Sequence, residues 1–187
     1  MKQKTLSILV TIPLFLFSGI TMAQETNQNQ IVPKGWMKVG SKPDHYIVGT
    51  DNKNVYTNKK SMFIQGMYEY NEKDFGTVMQ NVGAKNYLNK RLKLSVHLKS
   101  NDWQGWAGIW LRTSDKNNKV LTFENTQNRP IKGTTDWKLQ EIVLDVPQTT
   151  DYIAFGIITS GKGMLWADNI KLDTVSNDIP LTAKNLN

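Results

Sequence analysis

The alternation of apolar and polar side chains over residues 91–99 constrains the fold of this chain more than any other feature of its sequence. Polar residues alternate there with four aliphatic ones, Leu92, Leu94, Val96 and Leu98. Because successive side chains of a β-strand point to opposite faces, this pattern predicts a strand that is buried on one face only. No segment after residue 24 has the apolar spacing of an amphipathic helix, so an all-β fold is predicted.

Strand-length apolar segments and polar turns alternate along the rest of the chain. The other segments rich in β-branched or aromatic residues are 107–112, 120–123, 139–146 and 152–159. Turn-forming residues separate the segments, at 51–52, 71–74, 115–118, 133–136 and 160–163. Roughly eight to ten short strands predict a two-sheet antiparallel jelly-roll sandwich. We expect residues 160–163 to form a hairpin turn between two long strands.

The N-terminal 23 residues have the pattern of an export signal. Lys2 and Lys4 precede an apolar stretch over residues 6–20, and small residues come directly before Gln24. The apolar stretch is short for a membrane span, so we expect cleavage, a periplasmic or secreted location and no membrane span in the mature chain. The predicted organisation is a signal peptide over 1–23, a disordered lead-in over 24–35, one β-sandwich domain over 36–175 and a loose polar tail over 176–187.

Cysteine content and charge limit the classes of partner. The chain has no cysteine, which excludes disulfides, and its length allows one core without them. Its formal net charge of +7 favours an anionic partner. Since export argues against nucleic acid, we expect a glycan or an anionic cell-envelope polymer instead.

Motifs for catalysis are missing from the sequence. Its two histidines, His45 and His97, have no zinc-ligand spacing, and there is no G-x-S-x-G nucleophile motif. A glycosidase with paired carboxylates leaves no local motif and stays open from the sequence. We predict a protein that is not an enzyme and that has no cofactor.

A group of tryptophans is the most informative candidate site. Trp106, Trp110 and Arg112 alternate on one face of a predicted strand, and Ile109 and Leu111 share the other. If the aliphatic face points to the core, the indoles and the guanidinium lie on the outer surface. Flat aromatic rings beside hydrogen-bonding groups suit sugar rings. The opposite orientation, which buries both indoles in the core, is the alternative.

Two further side chains are predicted to join this surface. His97 lies on the polar face of its strand and Glu124 follows the segment 120–123, so both are hydrogen-bonding candidates beside the stacking tryptophans. Trp36, Trp137 and Trp166 sit among apolar neighbours and are predicted to pack in the core.

A basic stripe accompanies the alternating strand. Residues 75–101 contain five cations and no acid, and Arg91, Lys93 and Lys99 share the solvent face of the strand. Such a stripe either grips an anionic polymer or is a solvated face that discourages strand pairing between molecules.

Several longer motifs add a resemblance to a known family. They are NDWQGWAGIWLR over 101–112, FEN over 123–125, NRPIKGTTDW over 128–137, VLDVP over 143–147 and GMLWAD over 163–168. Over residues 33–180 the chain resembles an uncharacterised bacterial family whose members are often labelled AraC-type transcriptional regulators. Because no segment has a helix-turn-helix pattern and an export signal is predicted, we expect no nucleic-acid partner.

The segment 163–172 is also similar to the closing strand of galactose-binding jelly rolls and carbohydrate-binding modules. That resemblance implies a structural calcium held in part by Asp168, with a second ligand near the first strand. The segment 31–36 offers no carboxylate, so Asp168 is alternatively a turn cap or the partner of a lysine.

The function predicted from the sequence is an exported, non-catalytic module that binds a carbohydrate or another small polar ligand. One alternative is a structural or protein-interaction sandwich with its tryptophans in the core. A second is an effector-sensing module related to the domains fused to AraC-type regulators.

Overall fold

The computed structural model describes residues 32–57 and 59–182. The predicted signal peptide, most of the predicted lead-in and the end of the predicted tail lie outside the described residues. A 3₁₀ turn spans Pro43–His45, and none of the helices in the described part is long and apolar enough to cross a membrane. The described strands are β1 (Met37–Gly40), β2 (Tyr46–Asp51), β3 (Ser61–Gly66), β4 (Gly76–Gly83), β5 (Arg91–Ser114), β6 (Val120–Asn125), β7 (Ile131–Asp145) and β8 (Tyr152–Val175).

Two long strands organise the fold, because β5 and β8 each run for 24 residues and belong to two sheets. In sheet I, the order is β1-β4-β8-β5-β6, with residues 152–160 of β8 and 104–114 of β5. In sheet II, the order is β2-β3-β8-β5-β7, with residues 163–175 of β8 and 91–101 of β5. All pairings are antiparallel, so the predicted all-β jelly-roll sandwich is confirmed.

The core lies between the sheets and follows the predicted alternation. The four aliphatic side chains of residues 91–99 are buried, as are Ile109 and Leu111 on the sheet I part of β5. Trp36, predicted to be a core residue, packs against this cluster, with its ring centroid 6.1 Å from that of Phe155 and the two ring planes inclined by 82°. The burial of one face of β5 leaves the other face of each sheet for contacts outside the core.

Glycines bend β5 and β8 together at one corner of the sandwich. The predicted hairpin turn over 160–163 is wrong, since β8 continues through these residues. Gly161 has a φ of 109° and pairs with Gly105 of β5, whose φ is 125°. A Cβ atom on Gly161 would overlap the carbonyl oxygen of Gln104. Glycine is compatible with both a turn and a bend within a strand. Here glycine is required because the backbones of β5 and β8 approach each other closely.

The described part of the predicted loose tail, residues 176–182, is held against β7. Thr182 donates its N–H to the Val143 carbonyl (3.0 Å), and the Val143 N–H donates to the Thr182 hydroxyl (2.7 Å). The Arg91 guanidinium donates to the carbonyl oxygens of Asn177 and Ile179 at 2.6 and 2.7 Å. This segment therefore covers the edge of sheet II.

Candidate ligand-binding surfaces

Trp110 lies on the outer face of sheet I, because its neighbours Ile109 and Leu111 point into the core. Its indole Nε1 donates to the Thr77 hydroxyl of β4 at 2.8 Å. Since β8 runs between β5 and β4, the ring has to reach across about two strand spacings, roughly 10 Å. The position beside Trp110 on β8 is Gly156, which has no side chain to block the path of the indole towards Thr77.

The indole is one wall of a groove and not an open platform. Trp110 is 6% exposed, and the Arg112 guanidinium lies 5.7 Å from its ring centroid. A sugar could stack on this ring only after Arg112 moved. We call the depression of about 450 Å³ beside it the Trp110 groove. Besides Trp110 and Thr77, its lining side chains are Val39, Phe75, Met79, Arg112, Phe123 and Ile158.

Trp106 and Glu124 lie away from this groove's lining. Trp106 shares the outer face of β5 but sits beside the bend, half-buried and opposite Ser160. Glu124 is buried at the edge of the sandwich, where its carboxylate accepts hydrogen bonds from Arg129 and Thr182, both at 2.7 Å. Glu124 thus joins the C-terminal segment to β6.

His97 lies on the outer face of sheet II, in an aromatic cluster. Its ring stacks on Tyr56, with centroids 3.8 Å apart and planes inclined by 16°. The Trp137 ring lies 5.8 Å from Tyr56 at an inclination of 56°. Tyr56 is 45% exposed, so its ring is open to solvent. We call Tyr56, His97 and Trp137 the Tyr56 platform.

Asp168 fixes the loop that carries Tyr56. Asp168 is only 4% exposed, and its carboxylate accepts hydrogen bonds from the backbone N–H groups of Tyr56 (2.8 Å), Thr57 (3.3 Å) and Asn169 (2.6 Å). These N–H groups bind the same carboxylate oxygens that would have to coordinate a calcium ion. No cluster of three His, Cys, Asp or Glu side chains suited to a metal occurs in the described part of the chain. The surroundings of Asp168 therefore do not fit the calcium site that the resemblance implied.

A polar cleft of about 490 Å³ adjoins the platform on the same face. Trp166, 8% exposed, is part of its lining and donates its indole N–H to Asp51 at 2.8 Å. The other lining side chains include Asn54, Lys99, Asn101, Thr134 and Asp136. Lys99 follows His97 on the outer face of β5 and lies 3.7 Å from Asp136. These groups place hydrogen-bond donors and acceptors beside the aromatic rings.

Asp51 connects this cleft with the Tyr56 loop. Burial alone would raise the pKa of Asp51, but hydrogen bonds from the Asn54 side chain, the Lys53 N–H and the Trp166 indole outweigh it. The pKa of Asp51 therefore lies below its ordinary value, and its charged form stabilises the loop.

The basic stripe on the outer face of β5 is compensated by acids of β7. The pairs are Arg91 with Asp145 (2.8 Å), Lys93 with Glu141 (3.2 Å) and Lys99 with Asp136 (3.7 Å). This compensation removes the main reason to expect an anionic polymer on this strand.

The five residues proposed from the sequence therefore do not form one site. Trp110 and Arg112 line the groove on sheet I, and His97 belongs to the platform on sheet II. The core prediction is wrong for Trp137, which is half-buried on the outer face of sheet II. Trp166 is buried as predicted, at 8% exposure, although its ring lies on that outer face and not between the sheets. The sequence did contain a signal for Trp137. It lies an even number of positions from Glu141 and Asp145, so the three side chains share one face of β7, and the two acids mark that face as the outer one. Tyr56 comes from a loop, and no local pattern marked it.

Each of the two histidines packs beside a tyrosine ring. His45 lies 3.9 Å from Asp74 and packs on Tyr68, and His97 contacts Tyr56 and Asn169. Among residues 32–57 and 59–182, neither imidazole is hydrogen-bonded to a serine or threonine hydroxyl.

Comparison with solved structures defines the class of fold. The CBM22-1 xylan-binding domain of Xyn10C from Paenibacillus barcinonensis matches with a TM-score of 0.55 and 14% identity, over 78% of this chain and 88% of that chain. TmCBM61 in complex with β-1,4-galactotriose matches with a TM-score of 0.51 and 15% identity, over 76% and 90%. The enzymatically active domain of tailspike protein 4 from bacteriophage CBA120 matches with 0.58 and 14%, over 79% and 20%. This chain is a β-sandwich with the fold of carbohydrate-binding modules.

A curated relative gives the closer sequence comparison. The chain is 37% identical over 162 residues to the "Uncharacterized HTH-type transcriptional regulator YbfP" of Bacillus subtilis strain 168. The match covers 87% of this chain and 55% of that protein, so the chain spans about half the length of the relative. The predicted resemblance to chains labelled as transcriptional regulators is thereby confirmed. No protein-family model matches the chain.

Proposed function

We propose that this protein binds carbohydrate without transforming it, at the Tyr56 platform and the adjoining polar cleft. The observation that carries the proposal is an exposed aromatic surface next to a cleft lined by polar side chains. The fold supports it, since structural neighbours of this chain include a xylan-binding domain and a module in complex with β-1,4-galactotriose.

The platform has the shape that a sugar ring requires. One face of Tyr56 rests on His97, which holds the phenol ring in place, and the remaining surface of Tyr56 is open. Apolar C–H faces of a pyranose stack on aromatic rings. A ring placed on Tyr56 would also meet Trp137, which is inclined towards the tyrosine.

The polar cleft extends the site beyond one sugar unit. Asn54, Asn101 and the pair of Lys99 and Asp136 supply donors and acceptors for hydroxyl groups. Because Asp51 and Asp168 fix the loop before any ligand arrives, little conformational entropy is lost on binding. The arrangement suits an oligosaccharide better than a monosaccharide.

Affinity electrophoresis against xylan and β-1,4-galactan tests the proposal. Wild-type protein should be retarded, and Tyr56→Ala and Trp137→Ala should each weaken binding by about tenfold. Tyr68→Ala is the matched control, because Tyr68 is also exposed (53%) and also packs on a histidine, 4.2 Å from His45. Absence of retardation on every glycan tested, or an equal loss in the control, contradicts the proposal.

Export is part of the same proposal. The lysines, apolar stretch and small residues of the first 23 positions support it. Fractionation of the producing cell should recover the protein in the periplasm or medium with Gln24 at its N-terminus. Recovery of the full-length precursor from the cytosol alone would contradict export.

A further inference from the structure

The Trp110 groove contains a cation, Arg112, that forms no ion pair within the described residues. Arg112 lies between Ala154 of β8 and Phe123 of β6 in the sheet I register. In the described part of the chain no acid pairs with it, and its buried Nε has no hydrogen-bond partner. Its observed contact is with the face of the Trp110 ring. Burying part of a guanidinium is unfavourable unless an anion or a hydrogen-bond acceptor reaches it.

The rest of the groove has too few polar groups for a sugar. Thr77 and Arg112 are the polar side chains among the lining residues. The Thr77 hydroxyl already accepts from the Trp110 indole and donates to the Ile157 carbonyl at 2.7 Å. Sugar hydroxyls buried here would therefore stay without partners, which is costly.

We infer that the Trp110 groove binds a small amphiphilic anion, with its anionic head on Arg112 and its apolar body along Met79, Phe123 and Ile158. A guanidinium offers several N–H groups in one plane, which matches the oxygens of a carboxylate. The groove volume of about 450 Å³ is within the usual range for small-molecule sites, and a medium-chain fatty acid fits that size.

The rim of the groove supports an apolar ligand body. Val39 and Phe75 line the groove and are both more than one-third exposed, and Met37 on β1 is also exposed. Apolar side chains grouped around a depression mark a contact surface more often than side chains exposed singly. This site lies on sheet I, so it is independent of the carbohydrate site proposed on sheet II.

Isothermal titration with decanoate and with 1-decanol, each kept below the concentration at which it aggregates, tests the inference. Decanoate should bind wild-type protein, and decanol, which lacks the charge, should bind more weakly. Arg112→Gln should weaken decanoate binding by about tenfold or more. The control Lys132→Gln removes an exposed cation elsewhere and should change nothing.

A second pair of variants tests the same site without changing Arg112, so the inference can be tested even if Arg112→Gln does not fold. Val39→Glu places a negative charge at the exposed rim and should weaken decanoate binding, whereas Val39→Lys should strengthen it. Both should leave retardation on polysaccharides unchanged, which separates this site from the Tyr56 platform. The inference is overturned if decanoate does not bind, if decanol binds equally well, or if Arg112→Gln binds decanoate like the wild type.

Discussion

The outer faces of the two sheets use aromatic side chains in opposite ways. On sheet I, Trp110 comes from a strand, lies across Gly156 and is covered by its neighbours. On sheet II, Tyr56 comes from a loop, stacks on His97 and keeps a large part of its ring in solvent. The difference teaches that an outward strand position does not by itself make an open binding face. Whether an outward aromatic ring is covered or exposed depends on the side chains that the neighbouring strands place around it.

The largest effect is expected at the bend that both surfaces share. Gly161→Ala forces a φ of 109° on alanine and an overlap with the Gln104 carbonyl, so it should destabilise the protein by about 3 kcal/mol or more. Urea unfolding measures this. Gly133→Ala is the control, because Gly133 has a φ of 65° but nothing near its missing Cβ, and it should cost about 1 kcal/mol. Equal losses in the two variants would show that the corner is not tightly packed.

The next effect should separate the two surfaces. Asp168→Ala leaves three backbone N–H groups without their acceptor and should destabilise the protein by about 2–3 kcal/mol. Because the Tyr56 loop loses its anchor, retardation on polysaccharides should fall while decanoate binding persists. Asp173→Ala, an exposed carboxylate on the same strand, is the control. Loss of decanoate binding in Asp168→Ala would argue against independent surfaces.

A smaller effect should be confined to sheet I. Thr77→Val removes the acceptor of the Trp110 indole, and Trp110→Phe removes the donor. A double-mutant cycle in thermal or urea unfolding should give a coupling of about 1 kcal/mol. The Thr77→Val protein should still bind polysaccharide like the wild type. A coupling near zero would mean that this hydrogen bond does not hold the indole against the sheet.

The smallest effect is a pH dependence confined to sheet II. The pKa of Asp51 is lower in the folded protein than its ordinary value of 3.8, so its carboxylate stabilises the fold above that value and the gain is lost as the pH falls through the folded pKa. Asp51→Asn should therefore lose less stability than the wild type as the pH is lowered from about 5 to below the ordinary value of 3.8. Parallel unfolding curves for the two proteins over this range would contradict the assignment.

Local patterns predicted much of the fold because side-chain parity in a strand is a local property. The alternation over residues 91–99 was enough to predict which face of that segment is buried. It did not orient Trp110 and Arg112, because a register shift between Asn101 and Gln104 reverses the parity along β5. Parity did not tell whether an outward ring is open, since that depends on Gly156 and Thr77 on two other strands.

The sequence by itself determined an all-β sandwich, the inward face of residues 91–99 and the lack of disulfides. Only the tertiary structure decided that β8 continues through Gly161, because glycine permits a turn and a bend alike and the backbone of β5 selects the bend. It also decided where the aromatic platform forms. Tyr56 and His97 are distant in the chain, and the buried carboxylate of Asp168 brings them together by binding the loop's backbone N–H groups.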